Sequence, residues 1–458
     1  VTARNCGAKP EKAEFIFERF LFMKIGVVSV MCLGLMTGSA FAQNTDTQQS
    51  GWTQKDFITT MWVGPPATDE NFAQLAREGY NLYPTYYTDT PSMSPVALLD
   101  MAKKHGLKIL FGNPLIVPAS LDDPAKKAKL AELIETVKNH PALEGYNLFD
   151  EPSATSFPVW AKLTQFLREH DPNHFSYINL FPSNASQPLL GVFLNDVPKD
   201  PQDIPENFCG IGIHKDTFIF YNEYLRQFIK QVKPEILSYD HYHFIPGKDG
   251  DQYFLNLELV KDAAQQAGIP FVNIVQASDI EGRRMPNKTE IRWLAYTTMA
   301  YGARGINWFL YWGPARWGGM YQDGKRMPHA DWVVEVNQDV KALGPELMKL
   351  ASTQVYHTNP VPVGAQSIVG SPVQVTGGQY VVGMFKEKNT TNAFMIVNRD
   401  YKNASIANMT LNMGKGILME FSLPKREWVK VKPIINGSTL NVALISGNGK
   451  LFKIVTEP

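Results

Sequence analysis

The chain of 458 residues exceeds one average domain, and its 44% hydrophobic and 19% charged residues give it the texture of a folded globular protein. Lysine plus arginine and aspartate plus glutamate both total 44, so no basic excess marks it for nucleic acid or an anionic membrane surface. With three cysteines, two of them within the first 32 residues, a disulfide scaffold is excluded as well.

The N-terminus has the form of a targeting segment. Met23-Lys24 opens a short basic region, Ile25 to Met36 is apolar, and Ala40-Phe41-Ala42 before Gln43 has the small-x-small form of a signal peptidase site. The apolar run is too short to span a membrane permanently. The expectation is an exported bacterial protein, periplasmic or secreted, cleaved near Ala42, with residues 1–22 preceding a plausible initiator methionine. Cys6 and Cys32 leave with this segment and only Cys209 remains.

From Asp56 to about Ala351, apolar runs alternate with amphipathic stretches eight times. The strand-like runs are Phe57 to Val63, Tyr80 to Tyr87, Leu107 to Asn113, Tyr146 to Asp150, Phe175 to Leu180, Ile236 to His241, Pro270 to Gln276 and Ile306 to Tyr311. Helix-like segments follow them near 69–78, 94–105, 124–140, 156–169, 217–232, 251–267, 288–303 and 331–350. In the third, Asp122 and Asp123 before Pro124 mark a helix start, and Leu130, Leu133, Ile134 and Val137 fall on one face. Alternating strands and helices imply parallel crossovers, and eight such units close most simply as an α/β (β/α)8 TIM barrel. An open doubly wound sheet is the alternative, but Gly64-Pro65-Pro66 after the first strand is no phosphate loop. Residues 182–216, after the fifth strand, form the one long excursion, of a length more often functional than decorative.

Beyond Ala351 the texture turns to short β-rich runs: Tyr380 to Phe385, Ala393 to Asn398, Ile417 to Phe421, Trp428 to Val431 and Leu451 to Val455. The expected layout is an upstream segment with signal peptide (1–42), a linker (43–55), the barrel (56–351) and a small C-terminal antiparallel β-sandwich (352–458).

In a barrel of this kind the active site gathers at the C-terminal ends of the strands. The stretch Glu144 to Ser153 runs from a buried strand into two adjacent carboxylates, Asp150 and Glu151, and Pro152 then stops further pairing. The other strand ends bring Trp62, Tyr86, Tyr87, Asn113, Asn179, Asp240, His241, His243, Gln276, Trp308, Tyr311 and Trp312, with Asp279 and Glu281 in the loop after the seventh strand. Acids, amides and aromatics together describe a carbohydrate pocket, in which two carboxyl groups do the chemistry. Glu151 is the expected general acid, its proton favoured by neighbouring Asp150, and Asp240 is the foremost candidate for the base, with Glu281 and Asp279 behind it. At about 4.8 Å per neighbouring strand, the fourth and sixth strand ends lie on the order of 10 Å apart. Inward-leaning side chains would bring the pair towards the roughly 6.5 to 9.5 Å window of inverting enzymes. Trp62, Tyr86, Asn113, Asn179, His241, His243, Gln276, Glu281, Trp308, Tyr311 and Trp312 are the expected substrate contacts. Two same-face histidines without a clear third ligand do not make a metal site, so no metal or cofactor is expected. The partner expected is carbohydrate, with no nucleic acid and no membrane span, and the oligomeric state stays open.

Tyr146 to Ser153 resembles the fourth-strand motif of the clan A barrel glycoside hydrolases. Ala300 to Phe309 resembles the seventh helix and eighth strand of the β-galactosidase-like members, and Leu440 to Phe452 is similar to their terminal β-domain. The resemblance implies a barrel hydrolase with Glu151 as acid/base. The chain departs from the pattern at two places: Asp150 stands where asparagine usually precedes the acid, and Gln276 where a nucleophilic glutamate usually ends the seventh strand. An amide forms no glycosyl ester. An inverting hydrolase, a hexosaminidase-like use of Asp150-Glu151 on an acetamido group, and a non-catalytic glycan-binding barrel therefore all stay open.

Overall fold

A computed structural model describes residues 50–89, 93–197, 215–279 and 282–456. The targeting segment, Cys209, Glu281 and most of the excursion after the fifth strand lie outside the described residues.

The eight expected units are present. The strands are β1 (Ile58–Met61), β2 (Leu82–Pro84), β3 (Lys108–Phe111), β4 (Leu143–Asp150), β5 (Phe175–Leu180), β6 (Leu237–His241), β7 (Phe271–Gln276) and β8 (Gly305–Phe309). The helices are α1 (Asp69–Arg77), α2 (Pro95–Lys104), α3 (Pro124–Val137), α4 (Phe157–His170), α5 (Lys215–Val232), α6 (Tyr253–Ala267), α7 (Lys288–Ala300) and α8 (Pro328–Leu347). Start signals in the sequence do their local work. Asp123 Oδ1 accepts from the Ala125 and Lys126 amides at 2.9 and 3.2 Å, and Asn287 and Glu290 cap α7 reciprocally.

The strands pair in parallel in the order β1-β8-β7-β6-β5-β4-β3-β2. The seam between β1 and β2 is bridged by Asn81 N to Thr59 O at 3.0 Å and Thr60 Oγ1 to Leu82 O at 2.9 Å, which nearly closes the barrel. Its interior is a small apolar cluster that includes Ile58, Leu82, Phe175, Tyr177, Ile236 and Val272. Residues 50–55 do more than link. Trp52 packs on Phe175 with ring centroids 4.6 Å apart, and Gln54 Nε2 donates to Arg304 O at 2.7 Å, so this stretch lies against the N-terminal ends of the strands.

After α8 the turn Met348-Lys349 leads directly into strand β9 (Leu350–His357), so the expected boundary at 351/352 falls inside a strand. The later strands are β10 (Val373–Thr376), β11 (Tyr380–Glu387), β12 (Thr390–Asn398), β13 (Ser405–Leu411), β14 (Gly416–Ser422), β15 (Glu427–Ile434), β16 (Ser438–Leu444) and β17 (Gly449–Val455). They form a larger sheet, with β9-β11-β12-β17-β14-β15 in that order, and a three-stranded one, β10-β13-β16. Val373, Val382, Phe394, Met409, Leu444 and Phe452 share a core between them. The other face of the larger sheet joins the barrel core, where Val381, Phe385, Met395 and Leu451 belong to one cluster with Trp293 and Tyr296 of α7. Contact there is backbone-close: a Cβ at Gly383 would stand 1.9 Å from Ala300 O. Among the described residues no helix is long and apolar enough to cross a membrane.

Candidate active site

Strand alternation alone would send Gly145, Asn147, Phe149 and Glu151 to one face. A bulge in β4 changes this. Gly145 pairs with Phe175 and Asn147 with Tyr177, but the register then shifts so that Phe149 lies opposite Ile178 and Asp150 opposite Asn179. The extra residue re-aims the strand end. Phe149 packs on Trp160 of α4 at 4.5 Å and on Tyr87 at 6.2 Å, leaving Asp150 on the barrel side. Glu151 follows with φ at 49°, a left-handed conformation that costs a residue of its type on the order of 1–3 kcal/mol. Its amide donates to Asn179 O at 2.9 Å, and Tyr224 of α5 donates to Pro152 O at 2.7 Å, so both sides of the bend are held.

Asn179 is the hub of the site. Its Nδ2 donates to Asp150 Oδ1 and to Asp240 Oδ1, each at 3.0 Å. Its Oδ1 accepts from Ser238 Oγ at 3.1 Å, and because the serine spends its one proton there, Tyr177 is the donor in the 2.7 Å contact with Ser238. The row Tyr177, Ser238, Asn179 thereby fixes which end of the amide meets the acids. Asp240, 4% exposed, is also hydrogen-bonded to Glu151. Burial first and the charge of Asp150 second push Asp240 up to about 7, against the pull of its bonds to Asn179 and Glu151. Asp150 is exposed and Glu151 partly so.

The Asp150 and Asp240 oxygens, each 3.0 Å from the same nitrogen, approach one another closely across β5. The reason is the shared amide, which draws side chains from non-adjacent strands onto the strand between them.

Of the other expected contacts, Tyr86 lies within reach of the charge of Asp150, and Trp62 packs on Tyr86. Their rings meet edge to face at 5.4 Å, both are partly exposed, and the charge of Asp150 adds to the burial that raises the Tyr86 phenol. Trp312 is partly exposed and stacks on Tyr321 at 5.6 Å. Asn113, also partly exposed, turns its Oδ1 back to the Leu115 amide at 3.0 Å.

The structure places four others away from the acids. His241 and His243 follow the outward parity of β6, since Ser238 and Asp240 take the inward one. His241 Nδ1 lies 2.9 Å from Asn256 Oδ1 of α6, and as that oxygen only accepts, Nδ1 carries the proton. His243 stacks on Trp293 of α7 at 5.0 Å. Burial lowers these two imidazoles to about 4 and about 3, so both are neutral near pH 7. Trp308 is fully buried behind β8 with Nε1 on Asn337 Oδ1 at 2.8 Å, and Tyr311 donates to buried Glu78 at 2.8 Å.

Gln276 has a different task. Its Oε1 accepts from Phe244 N at 2.8 Å, and its Nε2 donates to Arg284 O, Phe244 O and Ser278 O at 2.8, 3.1 and 3.2 Å. An amide is required there, because a carboxylate would face three carbonyl oxygens with no proton to give. That is a physical account of the missing strand-end glutamate. Ser238, Tyr177 and Tyr242 escaped the sequence reading. Their signal was the alternation Ser238-Asp240-Tyr242 beside Tyr177-Asn179, and the Tyr242 ring lies 4.7 Å from Phe309 at the end of β8. Among the described residues no group of three or more histidine, cysteine or acidic side chains is placed to hold a metal ion.

No family model and no curated protein matches the sequence. Solved structures similar to the chain include glycoside hydrolases. A protein described as an α-L-fucosidase from Bacteroides thetaiotaomicron is 12% identical, with 66% of this chain and 98% of that one covered, at a TM-score of 0.41. An endo-1,4-β-mannanase from Eisenia fetida is 12% identical over 64% and 94% of the two chains, at a TM-score of 0.38. A glycosyl hydrolase family 2 member from Bacteroides cellulosilyticus is 10% identical over 88% of this chain and 58% of that one, at a TM-score of 0.36. Likeness at this level transfers no residue role to this chain.

Proposed function

We propose that the barrel mouth is the active site of a glycoside hydrolase acting on a poly- or oligosaccharide. The observation that carries this reading is the set of three carboxyl groups at the C-terminal ends of β4 and β6: Asp150 and Asp240 joined through the Asn179 amide of β5, and Glu151 bonded to Asp240. Glycoside cleavage needs one carboxyl that holds a proton near neutral pH and one that does not. Glu151 is the general acid. A hydrogen bond between Glu151 and Asp240 needs a proton on one of them, Glu151 is the partly exposed member of that pair, and its proton goes to the glycosidic oxygen as the bond to the anomeric carbon breaks.

Asp240 suits the base role poorly, because burial and the charge of Asp150 keep it protonated up to about pH 7. It serves instead to keep the shared proton available to Glu151. Exposed Asp150 is then the second carboxylate. These roles describe a double displacement: Asp150 bonds to the anomeric carbon as the glycosidic bond breaks, and water then cleaves that ester while Glu151, now deprotonated, takes the water's proton. Trp62 and Tyr86 supply flat faces beside Asp150 for the sugar ring. A second reading rests on the same adjacency, with Asp150 orienting a substrate acetamido group that attacks in its place. Efficient hydrolysis of a glycan that carries no N-acetyl group would remove it.

The experiment is a glycan-panel hydrolysis screen with Glu151→Gln as control, followed by NMR of the first-formed anomer. Sugar release that falls by about 10²–10⁴ in the variant, with retained configuration, is the expected result. Inversion would return the single displacement expected from strand spacing. Glycan binding without hydrolysis in the wild-type chain would leave a binding barrel. The region from Met23 to Ala42 supports export, and N-terminal sequencing of protein recovered from the producing cells should then begin at about Gln43.

A further inference from the structure

The chain between β6 and α6 forms a small hairpin, Phe244–Ile245 against Lys248–Asp249, that follows the C-terminal end of β6. Tyr242 stands at its base as the next inward residue after Asp240. Gln276 holds the hairpin from below through Phe244, and Arg284 N donates to Phe244 O at 3.2 Å. From the side, Asp249 Oδ1 accepts from Arg284 Nη2 at 3.1 Å, while the same guanidinium grips Glu290 of α7 at 2.7 and 2.8 Å. Asp249 Oδ2 accepts from the hydroxyl of Tyr401, a residue of the C-terminal sheets on the turn between β12 and β13. The Tyr401 ring also meets Phe244 and Trp293 edge on, each at 5.7 Å, and Trp293 Nε1 donates to Arg399 O at 3.0 Å.

We infer that Tyr401 is a positioning residue of the barrel mouth: through Asp249 it holds the 242–250 hairpin, and with it Tyr242, so the C-terminal sheets set one wall of the site. The inference rests on the mouth being the glycan site. A hydrogen bond to a charged acceptor is among the stronger kinds, and Asp249 receives one from each side. Removing the Tyr401 hydroxyl leaves the ring packing in place and frees one edge of the hairpin. A wall so loosened weakens sugar binding in the ground state and transition state alike, which raises KM and leaves kcat unchanged.

The test is amide hydrogen exchange of the whole chain, read by mass spectrometry without substrate, for wild type, Tyr401→Phe and Asp249→Asn. Exchange of residues 242–250 should rise about tenfold in each variant, while Leu143–Asp150 and Gly305–Phe309 keep their protection. KM on the glycan found by the panel screen should rise severalfold in Tyr401→Phe at unchanged kcat. Unchanged exchange of 242–250 in both variants would overturn the inference, as would a rise spread evenly over the barrel or a fall in kcat at constant KM. The exchange measurement stands apart from the hydrolase reading, which the Glu151→Gln control decides.

Discussion

At the scale of single residues, the decisive group is Asp240. Its pKa in the fold, about 7, lies above the 3.8 of an unfolded chain, so the folded protein holds an extra proton between those values. That contribution is fully present below pH 3.8 and is lost as pH rises through about 7. Asp240→Asn should therefore gain on wild type by a few kcal/mol between pH 5 and pH 8, read as denaturation midpoints against pH. Parallel midpoints over that range would mean that Asp240 does not hold the proton. In activity, the alkaline limb of kcat/KM should fall through about pH 7 in wild type and move in the variant. Ser238→Ala should loosen the Asn179 amide and displace the same limb, at a cost of about 1 kcal/mol in stability. Much of this was legible in sequence. Asp150 and Glu151 stand out because a proline stops the strand immediately after them, and Asn179 and Asp240 because each sits one residue before the end of a strand-like run. What sequence could not supply was the face. A period of two places His241 and His243 on the same side of the strand without saying which side, and the other side was the one that met the acids.

Among elements, the bulge in β4 is the feature that makes the site. One surplus residue turns Phe149 into the helical layer and brings Asp150 level with Asn179. No signal in the run Tyr146-Asn147-Leu148-Phe149 announces it, because all four residues suit either face. The strands themselves were easier, since buried parallel strands are continuous apolar runs. Those missed after residue 350 fail for identifiable reasons. In β13 and β16 every second residue faces solvent, Asn408 and Asn441 among them, which dilutes the apolar signal. Strand β9 follows α8 with no breaker to mark the change. The Gln276 clamp carries its own prediction. Gln276→Glu should not create a nucleophile but should destabilise the chain by about 3 kcal/mol, because it replaces donors with a buried charge facing three carbonyl oxygens. A melting temperature equal to that of wild type would contradict that account.

For the whole molecule, the barrel and the C-terminal sheets are expected to behave as one cooperative unit. Side chains of β11, β12 and β17 complete the cluster that Trp293 and Tyr296 begin, and Trp428 Nε1 donates to Glu346 Oε2 of α8 at 2.8 Å. A chain ended at Ala351 would expose that face and is expected to aggregate, and the full chain should unfold in a single calorimetric transition. Two resolved transitions would instead favour the modular layout that composition suggested. The seam at Gly383 also bears on engineering. Where a strand and the last turn of a helix meet with no side chain between them, neither half can be traded freely. A chimaera that grafts a foreign β-module onto this barrel would need glycine opposite Ala300 before anything else about the graft could matter, and recombination across that seam would be limited by a single missing methyl group.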